Sequence, residues 1–123
     1  MGPWKVLLHD DFAAEVDLME QALQDELFAF AMHLSRYGPR LGRPQVDTLK
    51  GSDFPNMKEL RFGWKGGVWR VAFAFDPDRQ AVLLVAGDKR GVDQARFYRR
   101  LIRRADARYA AYLDGGARGQ ITW

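Results

Sequence analysis

The chain contains no cysteine. A disulfide framework and thiol catalysis are therefore excluded, and a reducing, cytoplasmic setting is expected. Two histidines, His9 and His33, leave little for zinc, so no metal and no cofactor are expected. No apolar run approaches the ~18 residues of a membrane span, and no membrane partner is expected. The opening Met1-Gly2-Pro3-Trp4 has neither the charged region nor the apolar stretch of a signal peptide. Ser35 and Ser52 are the only serines, and neither lies on a sharp strand-to-helix elbow, which argues against a Ser–His–Asp arrangement. Gly63, Gly66 and Gly67 lie between two strand patterns, outside the strand–loop–helix context of a phosphate-cradling loop. There is no internal repeat and no low-complexity segment.

What is present is a globular composition. The 123 residues are 47% hydrophobic and 28% charged, enough for one domain with a core that needs no staples. Residues 1–114 are read as that domain and 115–123 as a loose tail. The net charge is +3, but its distribution matters more than its sum. Residues 1–56 carry 5 basic and 9 acidic side chains; residues 57–108 carry 13 basic and 6 acidic. Fourteen of the 19 basic residues are arginine, whose rigid fork pairs with phosphate at two points. The basic second half is either the footprint of a polyanion partner, such as nucleic acid, or a solvated surface.

The patterning predicts an α+β fold: a small antiparallel sheet, with an N-terminal helix or helix hairpin and a C-terminal helix packed on one face. Trp4-Lys5-Val6-Leu7-Leu8 reads as a first strand. Phe12, Val16, Met19, Leu23, Leu27, Phe30 and Leu34 then fall on one helical face, with Asp10 or Asp11 as the cap. A straight helix over 12–35 would be about 36 Å long, so a break is expected near Leu18 and Met19. Tyr37-Gly38-Pro39 ends it. Residues 38–56, punctuated by Gly38, Pro39, Gly42, Pro44, Gly51 and Pro55, read as a surface loop. Residues 57–87 read as a meander: Lys58–Phe62, the turn Lys65-Gly66-Gly67, then Val68–Phe75, the turn Asp76–Arg79, then Ala81–Ala86. Asp93 caps a last helix whose apolar face is Phe97, Leu101, Ala105, Tyr109 and Tyr112. Arg96, Arg99, Arg100, Arg103, Arg104 and Arg108 occupy the rest and read as a mainly solvated surface.

The chemically suggestive residues are cationic. Lys58 and Arg61 lie on one strand, Arg70 on the next, Lys89 and Arg90 just after the last. Lys58 and Arg61 are three apart, so a regular strand sends them to opposite faces, and a bulge would be needed to bring both to one site. The alternative is that these are exposed charges that blunt the sheet edges.

Val46-Asp47-Thr48-Leu49-Lys50-Gly51, Met57-Lys58-Glu59-Leu60-Arg61, Trp69-Arg70-Val71 through Asp76, Leu83-Leu84-Val85-Ala86-Gly87-Asp88-Lys89, Phe97-Tyr98 and Ala105-Asp106-Ala107-Arg108-Tyr109 occur in that order. The series resembles the HigB-type toxins of the RelE/ParE superfamily, including the phage-derived branch of addiction-module killer proteins, over about residues 4–113. The resemblance implies a RelE-like α+β toxin, neutralised by a helix-turn-helix antitoxin, that cleaves mRNA on the ribosome as a metal-independent endoribonuclease. By motif position it implies a catalytic set of Arg70, Arg61, Lys58, Lys89 and Tyr98. Lys50, Arg90, Arg96, Arg100 and Arg103 are the RNA-binding candidates. Glu59 departs from the pattern, standing where some members carry lysine, and no histidine lies in the second half. A ParE-like inhibitor of DNA gyrase and a non-catalytic nucleic-acid-binding module are the alternatives.

Overall fold

The computed structural model describes residues 3–115 and 118–120. Strand β1 (Lys5–His9) runs directly into α1 (Asp10–Asp17), which is followed by α2 (Gln21–Tyr37), a 3₁₀ turn (Gly38–Arg40) and β2 (Val46–Thr48). Then come β3 (Met57–Trp64), β4 (Gly67–Phe75), β5 (Gln80–Asp88), α3 (Gln94–Leu113) and β6 (Arg118–Gln120). The strand order is β2-β3-β4-β5-β1-β6. No helix among the described residues is long and apolar enough to cross a membrane.

The α+β class stands, with two corrections. The sheet is mixed, because β1 lies parallel to β5 while every other pair is antiparallel. The helices occupy both faces rather than one. Phe12, Val16, Leu23, Leu27, Ala31 and Leu34 of α1 and α2 pack with Leu60, Phe62, Val71, Phe73 and Leu83. Phe97, Leu101, Ala105, Tyr109 and Tyr112 of α3 pack with Met57, Ala72, Ala74, Val82 and Leu84 on the opposite side. Two-sided burial explains why β4 and β5 are apolar at nearly every position through their middles.

The long N-terminal helix breaks where expected, with Leu18 as the C-cap of α1 and α2 starting at Gln21. Gly38 stops α2 at φ 54, a conformation in which glycine has no Cβ penalty. The Trp4 indole also packs against its Cα, so any Cβ there would collide with the ring. The β3–β4 turn uses Lys65 at φ 47 and Gly66 at φ 78, the left-handed pair that a two-residue hairpin needs. Asp93 caps α3 by accepting from the Arg96 backbone N–H at 3.0 Å. Three local expectations fail. The cap of α1 is His9, whose Nδ1 accepts from the Asp11 backbone N–H, so Asp10 and Asp11 form the first turn instead. Val46–Thr48, read as loop, pairs with β3. Arg118–Gln120 pairs with β1 rather than trailing free; the remainder of 116–123 lies outside the described residues.

One arginine of α3 is structural. Arg108 donates to both Glu15 carboxylate oxygens, at 2.9 and 2.6 Å, and to the Leu84 carbonyl at 2.7 Å. That carbonyl is available because Ala72 pairs with Val85 and Phe73 with Leu83, which leaves Leu84 as the extra residue of a bulge. The Arg108 hydrogen bond and charge hold the Glu15 carboxyl below its ordinary pKa, against the opposing effect of burial.

Two outcomes follow for unfolding by urea. Leu101→Ala should lower stability by about 2–5 kcal/mol, since the side chain is buried against the sheet, whereas Arg103→Ala should stay within about 0.5 kcal/mol. Because the Glu15 pKa is depressed in the fold, its contribution is present above the unfolded value of about 4.3. It is lost as pH falls through the lower folded value. The stability gap between wild type and Glu15→Gln should therefore close on acidification, and a gap that widens there would contradict the Arg108–Glu15 bridge.

Candidate nucleic-acid interface

The side of β3 and β4 that faces α3 carries a charged patch set by strand alternation. Met57, Glu59 and Arg61 share that face of β3; Arg70, Ala72 and Ala74 share it on β4. Arg61 lies directly opposite Arg70 across the β3–β4 ladder, and Asp47 of β2 lies directly opposite Glu59. Like charges face each other along both rungs, which is unfavourable, and the diagonals resolve it. Arg61 pairs with Asp47 at 3.5 Å, and Arg70 with Glu59 at 3.9 Å.

Arg70 is the fixed point of this patch. It is 8% exposed, and a guanidinium so buried must place its donors. Its Nε donates to the Tyr98 hydroxyl at 2.7 Å and its Nη1 to the Val68 carbonyl at 2.9 Å. The guanidinium carbon sits 5.8 Å from the ring centres of both Phe97 and Tyr98. The Tyr98 hydroxyl in turn donates to Glu59 Oε1 at 2.8 Å. An arginine Nε can only donate and a carboxylate can only accept, so the phenol proton points at Glu59. Burial, together with the Glu59 hydrogen bond and charge, raises the Tyr98 pKa against the opposing pull of Arg70. In this arrangement Tyr98 orients Arg70, and its proton is directed away from the open face.

The remaining candidates divide by position. Lys58 lies on the α1/α2 side of the sheet, with Nζ 3.4 Å from Thr48 Oγ1. The β3–β4 register is regular, so the bulge that would have carried Lys58 to the Arg70 face is not there. Arg90 pairs with Asp88 at 2.6 Å and donates to the Lys65 carbonyl, clasping the β3–β4 turn. Lys89 is half-buried at the exit of β5, and Lys50 is exposed between β2 and β3. Arg96 and Arg103 are exposed on the outer side of α3. Arg100 lies on the other flank, lining with Arg104 a cleft beside Gly87, Asp88, Val92 and Phe97. An open cleft of about 470 Å³ is lined by Arg43, Pro44, Arg61, Phe62, Gly63 and Val68; Arg61 is the register partner of Arg70 across the β3–β4 ladder. Sequence reasoning missed Glu59 and Asp47 as members of the patch. Their parity with Arg61 and Arg70 was the available signal, but it needed the β2 and β3 registers to be read.

The family described as Phage derived protein Gp49-like (DUF891) matches residues 14–110. A Mycobacterium tuberculosis protein named "Putative toxin HigB2" is 43% identical over 96 residues, covering 77% of this chain. A second from that organism, named "Putative toxin HigB3", is 50% identical over 80 residues, covering 65% of this chain. The matched segment spans 47% of the first relative's own length and 68% of the second's. No solved structure matches the chain significantly.

Removing the bridging hydroxyl tests the Arg70 arrangement. Tyr98→Phe leaves a buried guanidinium and a buried carboxylate without their shared partner. It should reduce stability by about 1–3 kcal/mol at neutral pH, while Tyr37→Phe, on an exposed residue, should change little. A raised phenol pKa means the hydroxyl's contribution is whole below the unfolded value of about 10 and is lost as pH rises through the higher folded one. Urea unfolding near neutrality and above pH ~10 should show the Tyr98→Phe deficit shrinking in alkali; a constant deficit would count against the bridge.

Proposed function

The chain belongs to the Gp49-like family of phage-derived proteins, and from that premise we propose that it is the toxin of a toxin–antitoxin pair, a metal-independent endoribonuclease that cleaves mRNA on the ribosome. The names of its relatives support the toxin reading. The observation that supports the chemistry is Arg70: a buried cation held by Tyr98 and Val68, directly opposite Arg61, which lines an open cleft.

Cleavage without a metal uses the 2′-hydroxyl as nucleophile on the adjacent phosphorus, with the 5′-oxygen leaving. Negative charge grows on the non-bridging oxygens as the fifth bond forms. A donor already fixed in place stabilises that charge without reorganising. Arg70 is suited to this role, and Arg61, opposite it on β3, to holding the same or the next phosphate. Arginine is a poor base because its pKa is ~12.5 or above. Proton transfer thus falls to other groups at the site, among which Lys89 remains a candidate. Lys50, Arg96 and Arg103 would extend the cationic track along the RNA backbone. The antitoxin is expected to be anionic where it meets this surface, because complementary charge speeds association.

The assay is mRNA cleavage with purified ribosomes, with circular dichroism to establish folding. Arg70→Ala should lose roughly two to three powers of ten in cleavage rate, the scale of one preorganised donor. RNA binding should fall far less, because other cations share it. Arg70→Lys should not recover the rate, since an ammonium lacks the two-point fork. A folded Arg70→Ala protein that cleaves at the wild-type rate would remove Arg70 from the site. Wild type that leaves mRNA intact but blocks gyrase supercoiling would replace the nuclease reading with the ParE-like one.

A further inference from the structure

The cleft lined by Arg43 and Arg61 is bounded by two arginines that share one acid. Asp47 Oδ2 lies 3.4 Å from Arg43 Nε and 3.5 Å from Arg61 Nη2. The Arg43 side chain is 78% exposed and that of Asp47 36%, so this bridge sits at the surface and is easily exchanged. Arg61 Nε is buried without a hydrogen-bond partner, which leaves Asp47 as the anion that holds this guanidinium. Between the arginines the lining is uncharged: Pro44, Gly63 and the half-exposed Val68. Gly63 and Val68 are opposite each other on β3 and β4. With no side chain on Gly63, the floor is open to the strand backbone.

We propose that this cleft is a second RNA subsite, in which a phosphodiester of single-stranded RNA takes Arg43 and Arg61 away from Asp47. A base would lie on the apolar floor made by Pro44 and Val68. Asp47 is then an internal counter-anion: it occupies the two forks when RNA is absent and competes with phosphate when RNA is present. The Gly63–Val68 floor lies two residue pairs along the ladder from the Arg61–Arg70 rung, on the same face, so one strand of RNA can reach both. The proposal rests on the RNA reading above. Glu59 has a different role, since it is buried and bound to Tyr98, whereas Asp47 is free to exchange.

The probe is a single-stranded RNA of about ten nucleotides, 2′-O-methylated so that it cannot be cleaved. Its Kd is read by fluorescence anisotropy between about 50 and 200 mM salt. Asp47→Asn keeps an oxygen for the Thr48 backbone N–H, which Asp47 Oδ1 accepts at 2.8 Å, so the fold is preserved. This variant should bind the probe about three-fold more tightly at low salt, the scale of one exposed ion pair. Its log–log salt slope should steepen by about 0.7, one further phosphate contact on a single strand. In Arg43→Gln/Arg61→Gln protein, the added Asp47→Asn change should give no gain. Unchanged or weaker binding by Asp47→Asn, or a gain that survives loss of both arginines, would overturn the subsite. So would an equal gain for a polyglutamate peptide, which would assign the cleft to an acidic protein segment. Because the probe resists cleavage, failure here is separable from failure of the nuclease reading, which appears only in the ribosome assay.

Discussion

A guanidinium that is nine-tenths buried sets conditions on everything around it, and Arg70 imposes them on three elements at once. Its Nε requires an acceptor, which fixes the rotation of α3 so that Tyr98 lies on the sheet side of that helix. The Tyr98 hydroxyl requires an acceptor of its own, which fixes Glu59 of β3. The Nη1 donor turns back on the Val68 carbonyl within β4. Replacing one member leaves a buried polar group without its partner, and that penalty exceeds the net gain from forming the bond. The network therefore ties helix, central strand and neighbouring strand into one geometry. It also explains a glutamate at a position where a basic residue would seem to suit an anion-binding surface. Glu59 neutralises the buried guanidinium, with Arg70 Nε 3.9 Å from Glu59 Oε1.

Much of this architecture was readable in the sequence because it depends on local pattern. The break after Asp17, the glycine stop at Gly38, the Lys65-Gly66 turn and the apolar face of α3 each follow from residues within a few positions of one another. What depended on register was not readable. A three-residue strand such as Val46–Thr48 is too short to show alternation, so its pattern reads as loop and gives no signal for Asp47. The continuous apolar runs of β4 and β5 are the sequence signal of burial on both faces, which the structure meets with helices on both. The three-residue separation of Lys58 and Arg61 correctly implied opposite faces unless a bulge intervened. The bulge in this sheet lies on β5 instead, at Leu84. The cap role of His9 was not readable from the usual capping residues, since it depends on an imidazole nitrogen acting as acceptor.

The Leu84 bulge has its own place in the assembly of layers. By adding one residue to β5 it sends both Leu84 and Val85 toward α3, and it frees a carbonyl that the β4 ladder would otherwise consume. Arg108 takes that carbonyl and then reaches Glu15 past the end of β1. Helices on opposite faces of the sheet are thereby joined by a side chain rather than by contact between helices. Arginine suits this span, since its planar fork engages both oxygens of one carboxylate while a further donor remains for the carbonyl. Its neighbours Arg99 and Arg103 have no such duty and stay exposed. The expectation of a mainly solvated arginine surface on α3 holds at five of its six arginines, and Arg108 is the exception.

The two helical layers also differ in sign. Asp10, Asp11, Glu15, Asp17, Asp25 and Glu26 populate α1 and α2 against Arg36, while α3 carries six arginines against Asp106. With the sheet between them, the acidic and basic layers stand on opposite sides of a small body. The consequence is a torque. A long polyanion approaching from any direction repels one side and attracts the other, so the protein turns in the field before any atom touches. The torque turns α3, with its six arginines, toward such a polyanion. Most misoriented collisions are discarded before contact, and the search for a productive pose begins from roughly one hemisphere instead of two.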